Sequence, residues 1–202
     1  MTNKDYRLGA QGLALILCVL LAACSTDWIA QAEAIVQVLL PATTNILTLV
    51  SAFSGKAVDP MVATDIAKAG AEVNADLNQL ATLIDDYSGL PETQKATQLD
   101  KINAVLALAQ QHASDLMAAA HVKDPALQAK VNAVIGLVIS ELQSIDQLVP
   151  IMKGGNRTTP PRTLKAHSPL AAKQLKNAFN STMSAPSGNV EVDQVARTLV
   201  VK

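Results

Sequence analysis

DPMVATDIAKAGAEVNADLNQLATLIDDY, residues 59–87, is the stretch that decides the fold. Its apolar residues fall at Val62, Ile66, Ala69, Val73, Leu77, Leu80, Ile84 and Tyr87. Steps of three and four place them on one stripe of an α-helix, and a strand would need alternation instead. The ends carry their own chemistry. Asp59 can accept the orphan N–H groups of the first turn, and Pro60 fits the first helical position because its missing N–H would be unpaired there anyway. Ser88-Gly89 then supplies the stop.

The same grammar repeats on either side. Asp124-Pro125 opens a segment that runs to Leu148, with Leu127, Val131, Val134, Val138, Leu142, Ile145 and Val149 on its stripe. Between the two, from Pro91 and Glu92 to about His121, Leu99, Ile102, Val105, Leu106, Ala109, Ala113, Leu116 and Ala120 continue the period. Before residue 59, a fourth segment runs from Thr26, a possible N-cap, to Ser54, with Gly55 as its stop. Segments of this length joined by short connections must lie antiparallel to their neighbours. Composition agrees, since half of the chain is hydrophobic but only 2% is aromatic, an Ala, Leu, Val and Ile economy suited to helix on helix. The expectation is an all-α protein: an up-down-up-down bundle of four long helices over residues 24–152, followed by a linker at 153–168 and a short basic helix and tail at 169–202.

The first of these helices is unlike the others. From Ala34 to Gly55 it carries no charge, and its apolar residues wrap most of its circumference, leaving Gln37, Thr44, Thr48 and Ser51 as a narrow wet side. Two readings follow. It is a bundle helix packed on two neighbours, or it offers Ile35, Leu39, Ile46, Val50 and Phe53 to a membrane or a partner. Pro41 should bend it, and Thr43-Thr44-Asn45 beside that proline argue against a stable membrane span.

Upstream, Lys4 and Arg7 precede an uncharged apolar run, Leu13 to Leu21, that ends in small residues. The run is too short for a permanent span, which takes about 20 apolar residues, and has the shape of a secretory signal. Its end, Leu21-Ala22-Ala23-Cys24, resembles the lipobox of bacterial lipoproteins at all four positions. The resemblance implies a diacylglyceryl group on the Cys24 sulfur, cleavage between Ala23 and Cys24, and usually N-acylation of the new terminus. Residues 1–23 would leave with the signal, including Cys18, so the mature chain would keep one cysteine and form no internal disulfide. Two or three acyl chains make such anchoring effectively permanent. Ser25, where inner-membrane retention typically has Asp, favours the outer membrane of a Gram-negative cell.

Charge divides the chain. Residues 24–152 hold six lysines against fourteen acids, a net of −8, and residues 153–202 carry +6. The basic tail admits three readings: a solvated extension, an arm docked on the acidic body or on a partner, or an anchor to anionic lipid or envelope polymer. With Phe179 its only aromatic, it lacks the interleaved rings of a nucleic-acid surface, and no nucleic-acid partner is expected.

Catalytic and metal chemistry finds no foothold. His112, His121 and His167 form no pair at ligand spacing, His112 with Asp115 being the nearest approach, and neither a nucleophile elbow nor a phosphate-cradling loop is present. Asp85-Asp86 reads as a solvated helix end. The expectation is no catalytic residue, metal or cofactor, and two possible functions. One is a non-enzymatic envelope scaffold that binds another envelope protein while anchored through lipidated Cys24. The other is a lipoprotein that acts on membranes or binds lipid or another apolar ligand through the uncharged helix at 34–54.

Overall fold

A computed structural model describes the backbone of residues 5–150 and 172–202, and the side chains of residues 28–150 and 172–202. The expected linker at 153–168 and the start of the segment expected from residue 169 lie outside the described residues, as do the side chains of residues 1–27.

The described residues form six helices: α1 (Asp5–Ala52), α2 (Pro60–Tyr87), α3 (Glu92–Ala119), α4 (Pro125–Leu148), α5 (Ala172–Ser184) and α6 (Val190–Thr198). Helices α1 to α4 close a ring in which each packs on the next and α4 returns to α1. Contacts across the seams run in opposite directions along the chain. Gln98 reaches the Leu83 carbonyl while His112 reaches Asp76, so α2 and α3 are antiparallel.

Both Asp-Pro starts act as their chemistry dictates. The Asp59 carboxylate accepts the Met61 N–H at 2.9 Å, and the Asp124 carboxylate accepts the Leu127 N–H at 2.8 Å. Between α1 and α2, the Phe53 carbonyl accepts the N–H groups of Lys56, Ala57 and Val58, and Gly55 turns the chain at φ +78°. An L side chain is strained in that left-handed conformation, which is why glycine stands there.

The expected start of α1 at Thr26 is corrected: the helix continues N-terminally through residues 21–24 to Asp5. An N-cap terminates a helix only where the preceding residues prefer another conformation, and the Ala and Leu before Thr26 are strong helix formers. Helix α1 also runs on through Pro41. Around that proline, the Thr43 and Thr44 hydroxyls donate to the carbonyls of Leu39 and Leu40.

The apolar circumference of α1 is explained by its neighbours, which are α2, α4, α5 and α6. Gln37, Thr44, Thr48 and Ser51 are exposed, as the narrow wet side requires. The other reading of this helix is corrected. Ile35, Leu39, Ile46, Val50 and Phe53 are at most 3% exposed, so they are core residues and no surface.

The C-terminal residues complete this core. Leu175, Phe179 and Met183 of α5 are buried, as are Val192, Ala196 and Val201. At about 2 kcal/mol per large side chain, such burial holds the segment on the bundle. The stretch from Asn189 is helical, and Asn189 caps it, accepting the N–H groups of Glu191 and Val192. Glu191 and Asp193 in its first turn and Arg197 in its last complement the helix dipole.

Candidate functional site

The antiparallel ring has two ends of different chemistry. At the end nearer residue 24, the first described side chain of α1 meets the last residue of α2. Trp28 packs edge-on against Tyr87, with centroids 5.3 Å apart and planes at 68°. The Lys95 ammonium stands 5.6 Å from the Tyr87 ring centroid and bonds Glu92 at 2.6 Å. That bond holds the Lys95 pKa above its ordinary value, and burial pushes the Tyr87 phenol up against the opposing pull of Lys95. Trp28 is only 6% exposed, and its indole Nε1 is buried with no hydrogen-bond partner among the described residues. An indole N–H has one use, donation, and a buried one without an acceptor is an unmet demand.

Cys24, Ala23 and Ser25 occupy the turn of α1 just N-terminal to Trp28. Their side chains lie outside the described residues.

At the opposite end, where α4 begins, the end of α5 and the α5–α6 turn pack on Lys130. This lysine is 4% exposed. Its ammonium donates to the carbonyls of Thr182 at 3.3 Å, Met183 at 3.1 Å and Ala185, and stands 3.4 Å from Asp193. A cation thus closes the carbonyl end of α5. Asp193 in turn accepts the Ser187 N–H on both oxygens at 3.0 Å, and those bonds with Lys130 hold its carboxyl below the usual range. An open cleft of about 980 Å³ lies alongside, lined by Asp124, Ala129, Lys130, Ala185, Gly188 and Val190 among others.

Docking of the tail on the body, one of the three readings of its charge, is therefore what α5 and α6 do, but the ion pairs run opposite to the net charges. Body lysines hold tail acids: Lys130 with Asp193, and Lys56 with Glu191 at 3.2 Å. Lys173 and Arg197 remain on the outer face.

Midway along the bundle, His112 Nδ1 lies 2.7 Å from the Asp76 carboxylate across the α2–α3 seam. Its partner is not Asp115, which is exposed. The Lys130 and Asp76–His112 contacts are absent from the sequence reading, since pairings between helices depend on register. Among the described residues no group of three or more His, Cys, Asp or Glu is placed to hold a metal ion.

Residues 28–52 of α1 are long and apolar enough to cross a membrane by length and composition, but half of the apolar window is buried in the bundle. Helix α1 could use that surface on lipid only by leaving its neighbours.

No protein-family model, curated protein or solved structure matches the chain.

Proposed function

We propose that this chain is a lipid-anchored lipoprotein of a bacterial envelope, a non-enzymatic scaffold whose bundle is held against the membrane to bind another envelope protein. The observation that carries the reading is a juxtaposition. The lipobox-like Leu21-Ala22-Ala23-Cys24 is followed within four residues by Trp28, the first side chain of the bundle core. A chain cut before Cys24 and acylated there would have no tether to let the bundle wander. The acyl chains would fix the Trp28 end at the bilayer, and the Lys130 end would face away.

Expression in a bacterial host with globomycin, or as Cys24→Ser, tests the anchor. Uncleaved precursor is expected in both cases, and normal processing of the variant would sink the reading. The scaffold role is tested by crosslinking in intact envelopes, where one dominant protein partner is expected. Leakage from liposomes on adding the protein would instead favour the membrane-active alternative.

A further inference from the structure

We draw no further inference here: the strongest candidate, the open cleft between the first turns of α4 and the α5–α6 turn, is floored by the small side chains of Ala126, Ala129 and Ala133, its charged lining residues Lys130 and Asp124 are already engaged by groups of the chain itself, and nothing in the structure shows what covers it.

Discussion

Lys130 contributes more to this molecule than its place in the sequence suggests. It is a cation under three carbonyls and beside one carboxylate, and removing it leaves them facing each other without the charge that holds them together. Lys130→Met, which keeps the stem but loses the charge, should destabilise the protein by about 3 kcal/mol, measured by urea unfolding. A loss within error would mean that water replaces the ammonium at no cost. The position was legible in one respect. Asp76, His112, Lys130 and Glu141 each stand three residues after one core residue and one before the next, as Lys130 does between Leu127 and Val131. That spacing puts a polar group on the flank of the apolar stripe, where it is drawn into a seam. What it meets there depends on the register between helices, which no single helix encodes. Gly70 shows the same limit. Inside a helical pattern it reads only as a weak helix former, yet a methyl there would overlap the Leu47 side chain of α1. Gly70→Ala should therefore cost about 1–2 kcal/mol, and most of that should vanish in the Gly70→Ala, Leu47→Ala pair when a double-mutant cycle is measured.

Helices α2 and α4 were readable almost to the residue because an apolar period coincides in each with an Asp-Pro start, whereas α3, whose Pro91 cap makes no side-chain bond, ends at Ala119 and not at about His121. Asp59→Ala and Asp124→Ala should each lose about 1 kcal/mol in thermal or urea unfolding, the usual worth of an N-cap. Asp124→Ala should be the costlier, because its second oxygen also accepts from Asn189 at 3.0 Å and ties α4 to the α5–α6 turn. Helix α6 was not readable. Val190, Val192, Val195 and Leu199 fit either period, and the capping by Asn189 decides between them only once the turn before it is placed. The hold of α5 and α6 on the bundle carries a pH signature. Asp193 titrates below its ordinary value in the folded protein, so its contribution is fully present above the unfolded pKa and is lost as pH falls through the folded one. Below about pH 4, amides of α5 and α6 should therefore lose hydrogen-exchange protection before those of α2 and α3, and Asp193→Asn should show the weakened protection already at neutral pH. Simultaneous loss across all six helices would count against a separable hold.

At the scale of the whole molecule, the apolar excess of α1 had two explanations in sequence, an outside partner or a second layer of its own chain, and periodicity alone cannot separate them. The fold supplies the second layer: α5 and α6 lie on α1 and α4, with Phe179, Leu175, Met183 and Val192 buried there. That arrangement makes the basic segment a cover for the most hydrophobic helix of the bundle, and it predicts what removal of the cover does. A chain ending at Pro150 keeps the four-helix ring but returns apolar surface on α1 and α4 to water. Each large side chain no longer matched by the tail is worth about 2 kcal/mol, against a total stability of about 5–15 kcal/mol for an ordinary domain. The truncated protein should remain helical by circular dichroism, melt lower, bind the dye ANS, and self-associate or adsorb to neutral liposomes where the intact unlipidated domain does not. Unchanged melting and no dye binding would show that α5 and α6 ride on the bundle without covering it. Adsorption to liposomes, in turn, would locate the membrane activity that α1's composition suggests in the uncovered state.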